Sequence, residues 1–193
     1  PYSCCGSIHA YVDAALELRA RFGEPGERRV RVGLPRVIEV QCGYDYAPGT
    51  ALNAQMSSRF CVATALIHGR VLPGEFSADR LAAPATVALA SRIEQSHDPA
   101  LDDIYPANFC GWVEIESKPG AGDFARAFLR DPSGSPANPE KDQAMLDKFR
   151  RLVGDFMASD QAAEIERAAL ALEATDARSL VATLANRESA AAE

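Results

Sequence analysis

Apolar residues along this chain recur first at helical spacing, then with the alternation of strands, then at helical spacing again. Ile8, Tyr11, Val12, Ala15, Leu18 and Phe22 share one face, and Gly23-Glu24-Pro25 follows as a stop, so a helix is predicted over this stretch with Ser7 as its N-cap. Arg29 to Gly33 alternates like a half-buried strand, and Pro35 interrupts it before the apolar run Val37 to Val40. The Gly/Pro/Asp-rich stretch from Gly43 to Thr50 reads as a loop. Leu52, Met56, Phe60, Ala63 and Ile67 then predict one long helix from Ala51 to Ile67, ended by Gly69. Shorter helices are expected from Ser77 to Ala82 and after Pro84. Phe109 to Glu116 and Asp123 to Leu129 are strand-like around the turn residues Lys118-Pro119-Gly120-Ala121-Gly122, which predicts a hairpin.

From Asn138 the pattern becomes purely helical. Asn138-Pro139 reads as a cap followed by Pro, and Met145, Phe149, Leu152, Val153 and Phe156 form a stripe. Ser159 and Thr175 are placed to cap two further helices, and the polar, Ala-rich end after about Asn186 is expected to fray. The reading is therefore α+β: a small, mainly antiparallel sheet with helices over residues 1–131, then a helical segment over 138–186.

Composition narrows the partners. A length of 193 residues with 47% hydrophobic content allows a real core, and a net charge of −7 disfavours nucleic acid and anionic membrane surfaces, which need clustered basic groups. It leaves room for a small anionic substrate held by a few local cations. No stretch is long and apolar enough to span a bilayer. The start at Pro1, without Met or a charged-then-apolar leader, suggests the interior of a longer polypeptide. Cys4, Cys5, Cys42, Cys61 and Cys110 are odd in number and lack metal-ligand spacing, so free thiols, no metal and a cytoplasmic setting are expected.

Three patches resemble one known family. Pro1-Tyr2-Ser3-Cys4-Cys5-Gly6-Ser7-Ile8-His9 is similar to a Lys-Pro-Tyr-x-x-Cys-x-x-x-His stretch. Met56 to Val71 resembles a second family segment, and Gly134-Ser135-Pro136-Ala137-Asn138-Pro139 with Lys148-Phe149-Arg150 a third. Together they identify the chain as resembling the C-terminal part of the MmgE/PrpD family, which includes 2-methylcitrate dehydratase, cis-aconitate decarboxylase and iminodisuccinate epimerase. The resemblance implies a lid domain whose final helices pack on a separate, upstream all-helical domain. It also implies a homodimer, a small di- or tricarboxylate substrate and no cofactor. The family's active-site Lys would precede Pro1. Decarboxylase-like members carry His where this chain has Cys5 and Tyr where it has Phe60, so dehydration of a 2-methylcitrate-like tricarboxylate is the preferred reading. Epimerisation, decarboxylation and a non-catalytic interaction module are the alternatives.

Such reactions take a proton or a carboxyl group from a carbon beside a carboxylate, which calls for a general acid/base and donors for the developing charge. His9, at the start of the first helix, is the candidate base; its bland alternative is a hydrogen bond to Asp13, four residues on. Cys5 is a second catalytic candidate, placed where a helix start favours thiolate, or else a packing residue. Ser7 and Arg59 are candidates for binding substrate carboxylate, against a plain N-cap and a solvated arginine. Arg28, Arg29, Arg31 and Arg36 fit the wet side of a sheet. His68 is expected to cap its helix, and His97 to lie in a polar loop and offer no constellation.

Overall fold

The computed structural model describes residues 1–154, 156–174 and 176–185. Within them the chain divides into two compact units, one over Pro1–Lys141 and one from Asp142 onward.

The first unit is a sheet with helices layered on it. Strand β1 (Val30–Leu34) follows helix α1 (His9–Phe22), whose end is set by Gly23 at φ 73°. Then come α2 (Arg36–Cys42), α3 (Ala51–Met56), α4 (Ser58–His68), α5 (Ala78–Leu81) and α6 (Pro84–Arg92). Strand β2 (Glu94–His97), the single turn α7 (Pro99–Asp102) and the hairpin β3 (Gly111–Glu116) and β4 (Phe124–Leu129) complete it. The sheet order is β2-β1-β3-β4, with β1 and β2 parallel and the other two pairings antiparallel. The fold is thus α+β with a mainly antiparallel sheet.

Strand alternation sorts the two faces. Val30, Val32, Val113, Ile115 and Ala127 point into the core with Tyr11, Leu18, Phe60 and Leu66 of α1 and α4. The opposite face carries Arg29, Arg31, Glu94, Trp112, Glu114 and Arg126. There the Arg31 guanidinium sits 3.8 Å from the Phe124 ring centroid and that of Arg126 4.1 Å from Trp112, while Arg29 and Arg31 both pair with Glu94. The basic run is therefore the wet face of the sheet at Arg29 and Arg31. Arg28 instead caps the end of α1 through the Phe22 carbonyl. Close packing on the core side leaves no room at Gly111, where a Cβ would lie 2.0 Å from the Tyr11 ring.

Four local expectations are corrected. The run Val37 to Val40 is helical: Pro35 ends the strand, the Asp102 carboxylate accepts the Arg36 N–H at 2.7 Å, and Ile38 and Cys42 are buried four residues apart. The long helix 51–67 is two helices, broken at Ser57, which is extended (ψ 113°) and whose Oγ accepts the Phe60 N–H at 3.2 Å. Leu52, predicted on the buried stripe, is consequently 68% exposed. Ser7 caps nothing; it lies within a 3-10 turn, Gly6–Ile8, that precedes α1. His97 ends strand β2, with Nε2 2.7 Å from Asp102 and Nδ1 3.1 Å from Arg36, so both ring nitrogens are engaged.

The second unit contains α8 (Lys141–Val153), α9 (Ser159–Leu170) and α10 (Ala177–Ala185). Asn138 caps the approach to α8 by accepting the Glu140 N–H at 2.9 Å, and Arg150 of α8 pairs with Glu166 of α9 at 2.7 Å. Ser159 is the first helical residue rather than a cap, since Ala158 holds the cap position. Thr175, expected as a cap, and the end after Asn186 lie outside the described residues. Met145, Leu146, Phe149, Ile165, Ala169 and Leu170 line an apolar groove of about 340 Å³. Among the described residues, no helix is long and apolar enough to cross a membrane.

Candidate functional site

The break at Ser57 positions the N-terminal motif. Because α3 stops at Met56, the Gln55 carbonyl is released from helical pairing and accepts the Cys5 N–H at 3.0 Å. The Gln55 side chain in turn donates to the Ser3 carbonyl at 2.9 Å, and the Ser3 N–H reaches Val71 O at 3.0 Å. Residues 3–5 are thereby laid across the α3–α4 junction before the chain turns into α1.

His9, the first residue of α1, is half-buried rather than sealed in the core. Its ring meets the Tyr2 ring edge-on, with centroids 5.2 Å apart at 82°, and Nε2 lies 3.3 Å from the Cys4 carbonyl oxygen. A carbonyl only accepts, so the proton in that contact sits on Nε2. The pairing of His9 with Asp13 does not form. Asp13 is taken up elsewhere: Tyr2 OH donates to Oδ1, Ser133 Oγ donates to Oδ1 at 2.9 Å, and Ser133 N donates to Oδ2 at 2.6 Å. Gly134, at φ 78°, packs so closely on the Pro1 ring that a Cβ would come within 2.7 Å. The Gly134 end of the third resemblance patch, far away in sequence, thus packs against the start of the first.

Behind His9 four thiols gather. Cys4 is hydrogen-bonded by the Cys61 thiol, and this bond holds the Cys4 thiol down at about 6 against the opposing effect of burial, with the His9 side chain adding to the depression. Cys61 is fully buried, with its Sγ 3.5 Å from Ala54 O, and desolvation pushes its own thiol well up. Burial raises Cys42 to about 12, with the neighbouring Cys5 adding to the rise. All are free, as is Cys110. The activated sulfur is thus Cys4, one residue before the sequence candidate Cys5. Its activator lies 57 positions downstream, so no local pattern pointed to it. Among the described residues, no three His, Cys, Asp or Glu side chains could hold a metal ion.

Arg59 lies elsewhere. Two residues along α4 turn a side chain by about 200°, so Arg59 points away from the face that carries Cys61. Its guanidinium donates to the Ile93 carbonyl and pairs with Asp45 at 3.4 Å, a bracket between α4, the start of β2 and the 43–50 loop. Ser7 remains beside the motif, half-buried in the turn. Phe60 is 1% exposed in an aromatic stack, 4.6 Å from Tyr46 and 5.8 Å from Phe76. His68, in the last turn of α4, bridges to α6 through Thr86 at 3.2 Å, and burial with nearby Arg80 lowers its pKa.

A half-buried imidazole and a depressed thiol thus lie together at the head of the first helix of an α+β domain. The chain belongs to the MmgE/PrpD family, whose C-terminal domain model matches residues 2–174. It is 28% identical over 183 residues to the cis-aconitate decarboxylase of Aspergillus terreus (strain NIH 2624 / FGSC A1156), covering 89% of this chain and 37% of that protein. It is 24% identical over 181 residues, with the same shares covered, to the cis-aconitate decarboxylase-like protein oryM of Aspergillus oryzae (strain ATCC 42149 / RIB 40). The chain therefore spans a little over a third of the length of these relatives.

Proposed function

We propose that this chain is the lid domain of a lyase that dehydrates a 2-methylcitrate-like tricarboxylate. The observation that carries this reading is the His9 ring, half-buried at the first turn of α1 and braced by Tyr2 and the Cys4 carbonyl. In this reading His9 moves the proton at the carbon beside a substrate carboxylate, and Ser7 with the N–H groups of the first turn receives that carboxylate. Cys5 contributes to the wall of the same edge. The Tyr2–Asp13–Ser133 bonds hold the motif rigid, as proton transfer over hydrogen-bonding distance requires. The cationic groups for the remaining carboxylates come from an upstream helical domain, on which α8 to α10 pack through their exposed apolar faces. Arg59 is occupied by its bracket and is left out of the substrate site.

Decarboxylation of a cis-aconitate-like substrate is the second reading, favoured by the names of the relatives. Two residues weigh against it: Cys5 stands in place of an imidazole, and Phe60 is sunk in an aromatic stack without a hydroxyl. The test is to assay the full-length protein with 2-methylcitrate, cis-aconitate and iminodisuccinate. Water loss from 2-methylcitrate is expected, falling by about 100-fold or more in His9→Ala while the unfolding midpoint stays within about 1 kcal/mol. Carbon dioxide release from cis-aconitate would establish the second reading, and full activity of His9→Ala would remove His9 from the mechanism. Residues 1–193 alone should turn over none of the three.

A further inference from the structure

The chemistry proposed above leaves Cys4 and Cys61 unused. We propose that Cys4 and Cys61 form an oxidisable dithiol that closes to a disulfide on exposure to a peroxide. The inference does not rest on the identity of the catalysed reaction.

The geometry supplies the three parts that such a site needs. Cys4 is partly exposed at the protein edge, on a segment pinned across the α3–α4 junction by the Cys5–Gln55 and Ser3–Gln55 bonds. Cys61 stands against this segment, its Sγ 4.0 Å from the same Gln55 carbonyl oxygen that accepts the Cys5 N–H at 3.0 Å, and 3.5 Å from Ala54 O. The His9 ring lies against Cys4, with Nε2 3.3 Å from the Cys4 carbonyl oxygen, and a departing hydroxide takes its proton from solvent. The two sulfurs are also unequal in the required sense. Cys4 carries the nucleophilic form, whereas Cys61 and Cys42 are buried and held as thiols.

The chemistry balances. The Cys4 thiolate attacks one oxygen of hydrogen peroxide and the O–O bond breaks; the hydroxide released takes a proton and leaves as water, so peroxide is reduced and Cys4 becomes a sulfenic acid. The Cys61 sulfur then attacks Cys4 Sγ, the S–O bond breaks, and the departing hydroxide carries off the Cys61 proton as a second water. Two thiols and one peroxide give one disulfide and two waters, and a dithiol reductant reverses the change. Because Cys4 O faces His9 Nε2, closing the bond also alters the surroundings of that imidazole.

The test is to treat the folded protein with stoichiometric hydrogen peroxide and to follow free thiols and peptide masses. The count should fall by two, the protein should become lighter by two hydrogens, and a linked Cys4–Cys61 peptide should appear and vanish with dithiothreitol. In Cys61→Ser the oxidation should stop at a Cys4 sulfenic acid that dimedone traps, and in Cys4→Ser the paired loss should disappear. The wild-type peptide map decides even if a variant fails to fold. A bridge between Cys5 and Cys42 or between Cys4 and Cys5 would overturn the proposal, as would folded protein that keeps all its thiols under conditions where the unfolded chain is oxidised.

Discussion

Replacing Asp13 by alanine removes at one stroke the acceptor for Tyr2 OH, Ser133 Oγ and Ser133 N–H. Bonds to a carboxylate contribute about 1.5–3 kcal/mol each when sheltered from water. Asp13 is only half-buried, so both hydroxyls recover water when it is lost, and the discount for screening is large. The backbone N–H of Ser133, pressed into the contact, recovers least. A net loss of about 2–3 kcal/mol is expected for Asp13→Ala, equivalent to about 5–10 °C in Tm for a chain of this size. Asparagine separates charge from shape. Its carbonyl can sit at the Oδ2 position and keep Ser133 N–H, while the two hydroxyls at Oδ1 rotate to accept from its amide. Asp13→Asn should therefore cost only about 1 kcal/mol. Urea unfolding of the three proteins, read as midpoint shifts at constant slope, measures the series. An Asp13→Ala shift below about 0.5 kcal/mol, or an Asp13→Asn as damaging as Asp13→Ala, would refute the account of the brace.

Two further outcomes follow from the packing and the thiols. Gly111→Ala should destabilise by about 3 kcal/mol, because the added methyl collides with the buried Tyr11 ring and threatens its 3.1 Å bond to Cys110 O; Gly6→Ala, with nothing within 4 Å of the new Cβ, is the matched control in the same urea titration. Cys4 ionises at lower pH in the folded protein than in the unfolded chain, so it adds stability that is fully present above the ordinary thiol range and is lost as pH falls toward 6. The stability difference between wild type and Cys4→Ser should accordingly shrink from pH 9 to pH 6, and mass-mapped iodoacetamide labelling at pH 7 should favour Cys4; labelling that favours Cys110 would contradict the Cys61–Cys4 contact.

Periodicity made some features legible and not others. The α1 stripe and the β3–β4 hairpin could be read because each buries one face and closes with Gly-rich turn chemistry, and the hairpin already implied a mainly antiparallel sheet. Strand β2 was invisible because Glu94-Gln95-Ser96-His97 is an edge strand with no apolar side chain. The run at Val37 to Val40 misled for the opposite reason: β-branched residues there lie largely on the exposed side of a helix, and Val40 is 74% exposed. For the site, His9 could be placed at a helix start from spacing alone. The partner of Asp13, 120 residues away at Ser133, and the Cys61 thiol near Cys4 come from tertiary structure. Arg59 shows the same limit, since only the fold reveals that Ile93 and Asp45 already occupy its guanidinium.

The interruption at Ser57 reverses a common preference in protein engineering. A designer improving this domain by helix propensity would replace Ser57 and fuse α3 with α4 into one uninterrupted cylinder. The amides at the fused junction would pair internally, and the Gln55 carbonyl that now receives Cys5 would be consumed. The better helix would leave the opening segment without its berth, and His9 and Cys4 without a fixed address. An imperfection in one secondary element is here the socket for another, so sequence variation at this serine is expected to be constrained by what docks there rather than by the stability of either helix.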